Sequence, residues 1–274
     1  MLWTPQTGDI RVQHNSPALA TATPGTAVTT GASASTKGAV AQLFAATNFD
    51  VWGITLIVTD YGASNTASAA VLDVLIGPAG SEQVLIPDLL VGSSPVSTNM
   101  GAQRFDFPLF IPAGTRVAAR AAGQRVNTAM QVQVALRGGG DSPPWRVGRS
   151  VTAYGITAIP DGTVIVAGNA TEGSWTQITA ATARDHFFLV PAFQLHNDTG
   201  VAGRALVIDY GVGAAASEVE LGSMGVGTSN LEMLSFSGDV SARPIYLPAG
   251  SRLAMRASAH NGPDDYNGAL YGIS

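Results

Sequence analysis

The chain has 274 residues, of which 12% are charged, and its 14 Lys and Arg against 19 Asp and Glu give a net charge of -5. This acidic balance, with Lys37 as the single lysine, argues against nucleic-acid binding, which needs a surplus of cations on one face. The absence of cysteine excludes a disulfide framework, a thiolate nucleophile and a zinc–thiolate site. Low charge with a mean hydropathy above zero is typical of a protein packed into an assembly.

Targeting signals are not recognisable in the sequence. Residues 1–9 (MLWTPQTGD) lack the basic and apolar regions of a signal peptide, and apolar stretches end well before 18 residues. We therefore expect a product without membrane insertion, made and retained in the cytoplasm of its host.

Short apolar runs with period two predict strands along the whole chain, and no window gives a helical period. In the first half the predicted strands are Val51–Val58, Val71–Ile76, Val84–Leu90, Phe105–Ile111, Thr115–Ala121 and Met130–Leu136. In the second half they are Phe187–Leu195, Ala205–Val212, Arg243–Leu247, Arg252–Ala257 and Leu270–Ile273. The Pro-Ala-Gly triplets at 112–114 and 248–250 predict turns in which glycine supplies a positive φ.

The two halves of the chain repeat each other. Residues 108–121 (PLFIPAGTRVAARA) return as 244–257 (PIYLPAGSRLAMRA), with eight of fourteen positions identical at an offset of 136. Residues 38–50 return as 173–185 at an offset of 135. An offset this long predicts a duplicated domain rather than a solenoid, so each copy is expected to close its own core.

These patterns predict an all-β protein of two tandem, duplicated, jelly-roll-like β-sandwich domains. The first sandwich is predicted at 1–137 with an N-terminal extension at 1–10, and the second at 146–274. Glycines and prolines at 138–145 predict a hinge between them.

Charged residues that recur at the offset of 136 are the leading candidates for a site. They are Asp73, Glu82, Arg116 and Arg120 in the first copy and Asp209, Glu218, Arg252 and Arg256 in the second. Alternation places the arginines on the strand face opposite Val117 and Ala119. Two interpretations remain open, a face that grips a sugar or an anion, and cross-strand ion pairs that fix sheet register.

Other side chains give weaker indications of chemistry. The four histidines, His14, His186, His196 and His260, lack metal-ligand spacing and are expected in exposed loops or strands. Oxygen-rich turns around Asp198, and around Asp264 and Asp265, are weak calcium candidates that Asx turns explain equally well. No Gly-x-Ser-x-Gly motif is present, so we expect neither an enzyme nor a cofactor.

Aromatic residues near termini and turns are candidates for contacts with other molecules. Trp3, Trp145, Tyr266 and Tyr271 are predicted to stack on a neighbouring subunit or on a sugar ring. Trp52 and Trp175 are expected in the core.

Two segments of the first copy resemble a known group of proteins. Residues 77–90 (GPAGSEQVLIPDLL) and 107–120 (FPLFIPAGTRVAAR) resemble the "GAAGSE…IPxL" and "PIxIPAGTRIAAR" segments of tailed-bacteriophage and prophage virion proteins. The second copy keeps residues 215–218 (AASE) but departs from the "IPxL" part. The resemblance implies a virion location and brings no catalytic residues.

The favoured function is therefore a structural component of a tailed-phage virion, in a tail, baseplate, fibre or head decoration. Its expected partners are other virion proteins and copies of itself. The alternative is a glycan-binding module that recognises a host surface polysaccharide.

Overall fold

The computed structural model describes residues 10–15, 25–59, 69–92, 102–140, 146–197, 204–229, 232–237, 242–260 and 265–274. Every helix or strand in these ranges is a β-strand, which confirms the all-β prediction for this part of the chain. Within the same ranges, no helix of the length and apolarity needed to cross a membrane is found.

The first half of the chain forms two antiparallel sheets. Its strands are β1 (Arg11–His14), β2 (Thr26–Thr29), β3 (Ala41–Phe44), β4 (Val51–Thr59), β5 (Ala70–Ile76), β6 (Gln83–Val91), β7 (Gln103–Phe107), β8 (Val117–Gly123) and β9 (Ala129–Gly138). Sheet I has the order β1-β9-β4-β7, with β2 also paired to β9, and sheet II has the order β3-β8-β5-β6. A five-stranded and a four-stranded sheet connected in this order have the arrangement of a jelly roll.

The second half uses the same order of strands with two additions. Its strands are β10 (Val151–Tyr154), β11 (Ile156–Ala158), β12 (Asp161–Asn169), β13 (Thr176–Thr179), β14 (His186–Asn197), β15 (Arg204–Val212), β16 (Val219–Ser229), β17 (Glu232–Ser237), β18 (Arg243–Leu247), β19 (Leu253–Ala259) and β20 (Asp265–Ile273). Sheet III contains β10, β12, β20, β14 and β18, and sheet IV contains β13, β19, β15, β16 and β17. Parallel pairing of β12 with β19 joins sheets III and IV into one continuous sheet.

Strand registers in the two halves match closely. Ile54 pairs with Leu136 between β4 and β9, and Leu189 pairs with Gly272 between β14 and β20. On this basis β4 corresponds to β14 and β9 to β20, while β11 and β17 have no counterpart among the described strands of the first half. The predicted domain boundaries at 137 and 146 remain a prediction, since residues 141–145 lie outside the described ranges.

Both Pro-Ala-Gly triplets form the predicted turns. Gly114 and Gly250 have φ angles of 78° and 84°, which confirms the prediction of a left-handed glycine at each. In each turn an aspartate accepts a hydrogen bond from the alanine amide, at 2.7 Å for Asp50 and 2.8 Å for Asp185. The same sequence therefore folds the same way twice.

The strand predicted at Phe105–Ile111 is wrong in its second part. β7 ends at Phe107, because Pro108 has no amide to donate to a ladder. Beyond it Leu109 and Ile111 form only isolated bridges, Leu109 to Gly148 and Ile111 to Val51.

Sheet III is buried on both faces, so that the two halves, which each have a core, are also joined by an apolar contact. On β20, Tyr266 and Leu270 pack into the core of the second half. Ala269, Tyr271 and Ile273, at the alternate positions, belong to the core of the first half. β14 alternates in the same way, so the outer face of sheet III closes against the first half of the chain.

Candidate functional site

Four charged residues, Lys37, Asp73, Asp88 and Arg120, lie together on sheet II. We call them the lysine cluster. Asp73 and Arg120 are direct partners in the register of β5 and β8, and the Arg120 Nε lies 2.8 Å from an Asp73 carboxylate oxygen. The Lys37 ammonium lies 2.7 Å from Asp73 and 2.6 Å from Asp88. Two cations therefore balance two carboxylates.

Asp73 is 3% exposed, and burial by itself would raise its pKa. The hydrogen bond from Lys37, the backbone amide of Asp88 at 2.9 Å and the Arg120 guanidinium outweigh burial, so its pKa is held below the ordinary value. The carboxylate is ionised and fully engaged inside the fold.

The corresponding place on sheet IV has a different charge balance. We call Glu172, Asp209, Glu220 and Arg256 the glutamate cluster. Asp209 and Arg256 repeat the cross-strand pair at 3.0 Å, but Glu172 stands where the sequence alignment of the copies has Lys37. Arg256 also contacts the Glu172 carboxylate, and its Nη2 lies 3.5 Å from Glu220.

One guanidinium thus faces three carboxylates in the glutamate cluster. Its guanidinium carbon also lies 4.5 Å from the centre of the Trp175 ring, which is half-buried rather than in the core as expected. Burial, followed by the nearby Asp209 carboxylate, raises the pKa of Glu172. The cluster therefore keeps an excess of negative charge at the surface, where Glu172 and Glu220 are each 45% exposed.

A second recurring pair ties a turn to each of sheets II and IV. Arg116 contacts Glu82 at 2.7 Å, and its Nε donates a hydrogen bond to the side-chain oxygen of Gln42 at 3.1 Å. The equivalent Arg252 contacts Glu218 at 2.7 Å and Gln177 at 3.1 Å. The structure thus brings together all eight charged residues singled out in the sequence, as four ion pairs.

The carboxylates of these turn pairs are held ionised. Hydrogen bonds from the backbone of its own turn, and then the one from Arg116, lower the pKa of Glu82. Burial by itself would raise the pKa of Glu218, but the hydrogen bond from Arg252 outweighs burial and holds this pKa below its ordinary value. The geometry favours the interpretation of these residues as ion pairs that fix strand register, and the alternative of a face that grips a sugar or an anion stays a prediction.

The contact between the halves is built around Tyr271. Its hydroxyl accepts a hydrogen bond from the amide of Leu90 at 2.8 Å and donates one to the carbonyl of Asp88 at 2.7 Å. Its ring meets Phe107 edge-on, with centroids 6.4 Å apart. Gln194 adds hydrogen bonds to the carbonyls of Ala70 at 2.6 Å and Val91 at 2.7 Å.

The outer face of sheet I, which corresponds to the buried outer face of sheet III, is polar. Thr55 donates to Asp106, and Arg137 contacts both. The Arg104 Nε lies 3.0 Å from the same aspartate. Arg104, Asp106 and Arg137 line a cleft of about 320 Å³, to which Phe188 and Ala242 of the second half also contribute. Two guanidiniums therefore share one carboxylate in an accessible cleft.

The prediction that Tyr266 and Tyr271 contact other molecules is wrong. Their side chains are 1% and 0% exposed, because β20 lies in the middle of sheet III, between β12 and β14, although it ends the chain. Trp3 and Trp145 lie outside the described residues. Trp52 is buried, as predicted.

The exposed aromatic residue that the sequence reasoning missed is Tyr246, which is 64% exposed. Its ring stacks on Phe187 at 6.2 Å, and the Arg146 guanidinium covers the Phe187 ring at 3.1 Å. Its hydroxyl donates to Asp185 at 3.1 Å. Alternation along β18, with Ile245 and Leu247 directed to the core, is the signal that could have placed Tyr246 outside.

His186 is also placed differently from its prediction. It is fully buried, and its Nε2 lies 2.8 Å from the Tyr154 hydroxyl. Burial, and then the charge of Arg184, lowers the pKa of this imidazole. His14 and His260 are exposed as predicted, while the side chain of His196 lies outside the described part.

The calcium candidates are only partly covered by the structure. Asp198 and Asp264 lie outside the described residues, and Asp265 is the half-buried first residue of β20. In the described ranges, no group of three or more His, Asp or Glu side chains is arranged to hold a metal ion. Calcium binding remains a prediction.

Comparisons with known proteins give only distant structural similarity. No family model matches the chain, and no curated protein matches its sequence significantly. The STIV MCP is similar over 97% of this chain and 96% of its own, with 11% identity and a TM-score of 0.32. PNGF-II is similar over 96% of this chain and 66% of its own, with 13% identity and a TM-score of 0.34. The structure of Broad Bean Stain Virus is similar over 90% of this chain and 87% of its own, with 10% identity and a TM-score of 0.30. These values are too low for the function of any of these proteins to be transferred.

Proposed function

We propose that the protein is a structural component of a tailed-phage virion, assembling through the surfaces of its β-sandwiches. The observation that carries this proposal is the contact between the halves, where the outer face of sheet III is buried under the first half. The chain thus contains a sandwich-on-sandwich contact with an apolar centre and with hydrogen bonds across it from Tyr271 and Gln194. Such contacts are the means by which subunits of a particle associate.

The residues that resemble tailed-phage virion proteins support a structural role. Glu82 of the first segment pairs with Arg116 of the second, which ties the turn after β5 to the start of β8. The Pro112–Gly114 turn is fixed by Asp50 and by Thr47, whose hydroxyl donates to Pro112 at 2.8 Å. The resembling segments therefore build the sandwich, and the function of such a protein lies in its surfaces.

The recurring contacts also support the proposal of two tandem, duplicated jelly-roll sandwiches, 1–137 and 146–274. The pairs Asp73–Arg120 and Glu82–Arg116 recur as Asp209–Arg256 and Glu218–Arg252 at the same offset of 136. Two similar sandwiches in one chain offer two similar docking surfaces per subunit, which suits a symmetric particle.

Purified particles provide the test of this function. Particles produced from the genome that encodes the chain would be separated on a density gradient, and their proteins counted by mass spectrometry. We expect the chain in a fixed ratio to the other virion proteins, resistant to a wash in high salt. A chain found only in the soluble lysate would contradict the proposal.

A second function, binding of a host surface glycan, is favoured by Tyr246. An exposed aromatic ring backed by Phe187, with the Asp185 carboxylate at its hydroxyl, provides an apolar face and a hydrogen-bond acceptor for a sugar. The sheet itself would remain intact if the ring were removed, because Tyr246 faces solvent.

A glycan array with the wild-type protein and the Tyr246→Ala variant tests this second function. We expect binding to a polysaccharide of the host surface that the variant loses. Val219→Ala, a change at another 64% exposed apolar side chain, is the matched control and should bind normally. Equal signals for all three proteins, or no signal at all, would exclude the Tyr246 site.

A further inference from the structure

The two sides of the contact between the halves each have a charged counterpart on the same molecule. Within the chain, the side of the first half that holds Asp88 and the lysine cluster packs on the outer face of sheet III at Tyr271. The second half has the glutamate cluster at the corresponding position, and the first half has the outer face of sheet I. At Asp106 this outer face lies beside the second half, where the Ala242 amide donates a hydrogen bond to the Asp106 carbonyl at 3.3 Å, but its Arg104 side chain is 57% exposed.

The outer faces of sheets I and III correspond residue by residue. Thr55 pairs with Ala135, and Val190 pairs with Tyr271, in equivalent registers. Two residues further along β9, Arg137 takes the place that Ile273 has on β20. Tyr271 and Ile273 are buried under the first half, whereas the Arg137 side chain is 44% exposed.

The outer face of sheet I and the glutamate cluster have opposite charge. The outer face of sheet I presents Arg104, 57% exposed, and Arg137 around the single carboxylate of Asp106. The glutamate cluster presents two exposed carboxylates and shares one guanidinium among three acids. A contact between them would give each excess charge a partner.

We propose that a second copy of this chain docks its glutamate cluster on the outer face of sheet I, in a contact held by opposite charge. The partner is the chain itself, since it holds both complementary surfaces. The contact does not repeat the one between the halves strand for strand, because β17 pairs with β16 and covers the edge that corresponds to β6. It centres on the charged clusters and involves Glu172 and Arg104.

This arrangement deepens the proposed function, on which its biological meaning rests, by naming the partner. Each subunit uses a different surface at its two ends, so the association is head-to-tail. Such contacts close into a ring when the rotation permits and otherwise extend into a filament.

Sedimentation velocity of the purified full-length protein, over a range of concentrations and at low and high salt, tests the inference. We expect self-association that weakens with salt. Arg104→Glu and Glu172→Lys should each raise the dissociation constant about tenfold or more. Glu172→Lys introduces the residue that the first half has at the equivalent position, so the fold should tolerate it. Arg184→Glu, an exposed charge reversal away from both surfaces, is the matched control and should associate like the wild type.

Mixing the two variants gives the sharpest result. An equimolar mixture of the Arg104→Glu and Glu172→Lys proteins restores opposite charge at every contact, and we expect association to recover. Circular dichroism and unfolding curves check each fold, and Arg104→Ala replaces the reversal if that variant is unstable. A monomeric wild type at all concentrations, variants that associate normally, or a mixture without recovery would each overturn the inference. A monomer that is nevertheless found in purified particles would refute this contact and leave the proposed function intact.

Discussion

The outer faces of sheets I and III share a backbone arrangement, but the face of sheet III is apolar and buried, whereas that of sheet I is polar. On sheet III, Val190, Tyr271 and Ile273 form an apolar surface that is buried under the first half. On sheet I the corresponding positions include Thr55 and Arg137, which belong to a polar network around Asp106. The difference shows that a few outward side chains decide which neighbour a sandwich accepts, while the inner pattern and the cross-strand pairs maintain the fold.

The largest expected effect is at the centre of the buried face. Tyr271→Ala removes a fully buried ring and should lower the free energy of unfolding by about 3–5 kcal/mol. Tyr246→Ala removes an exposed tyrosine from the same half and should cost about 0.5 kcal/mol or less. Urea unfolding of both variants measures the difference. Similar losses would mean that Tyr271 does not join the halves as described.

The two charged clusters should respond differently to loss of their aspartate. Asp73→Asn leaves Asp88 as the single carboxylate for Lys37 and Arg120, with a neutral amide at the buried position of Asp73, and should destabilise the protein by about 3 kcal/mol. Asp209→Asn removes one of three carboxylates around Arg256 and should cost about 1 kcal/mol or less. Thermal or urea unfolding compares the two, and an equal cost would contradict the difference in charge balance.

Removing only the hydroxyl of Tyr271 separates hydrogen bonding from packing. Tyr271→Phe keeps the ring but leaves the Leu90 amide and the Asp88 carbonyl without their partner. A loss of about 1–2 kcal/mol is expected from urea unfolding. An unchanged free energy of unfolding would show that the buried hydroxyl is not what fixes this contact.

The smallest expected effect is the dependence of stability on pH, and the lysine cluster and the glutamate cluster should contribute to it with opposite sign. Asp73 has a lowered pKa, so its contribution to stability is complete above its ordinary value of 3.8 and is lost as the pH falls below it. Glu172 has a raised pKa, so its contribution is present below its ordinary value of 4.5 and is lost as the pH rises through the higher value in the folded protein.

Glu172→Gln tests this directly. At a pH above the raised pKa of Glu172, the variant should be slightly more stable than the wild type, by less than about 1 kcal/mol because Glu172 is half exposed. Below pH 4.5 the two should converge. Unfolding curves at about pH 4 to 7 measure the difference in free energy of unfolding between the two proteins. A difference that grows as the pH falls would show that the pKa of Glu172 is lowered rather than raised.

Much of the fold follows from local patterns in the sequence. Period-two runs predicted β4, β5, β9 and β18 within about two residues, because alternating burial is imposed by the strand itself. The four-residue strands β1, β2, β3, β10 and β13 were not predicted, since they are too short and too polar to show a period. β16 was missed because its glycines interrupt the apolar pattern.

The candidate site was harder to predict because it depends on contacts across the chain. The recurring acids and arginines predicted the correct ion pairs. Each Asp–Arg pair also has a partner from a loop, Lys37 in the first half and Glu172 in the second, and these partners were not predicted. Tyr271 was placed outside because it lies close to the end of the chain. The nearly continuous apolar run at 187–193 (FFLVPAF) was available as a signal that this sheet is buried on both faces.

The position of β6 at the end of sheet II has a consequence for how copies of this chain can meet. An open edge invites another strand to add to the ladder, and long, flat edges promote aggregation. Here Pro87 offers no amide and Asp88 has a φ of 44°, and the register shifts at this point, between Leu72 and Val74 of β5. The Leu90 amide and the Asp88 carbonyl on this edge are also taken by the Tyr271 hydroxyl. The edge is therefore both kinked and occupied, which disfavours addition of a new strand and leaves association to the broad sides of the sheets.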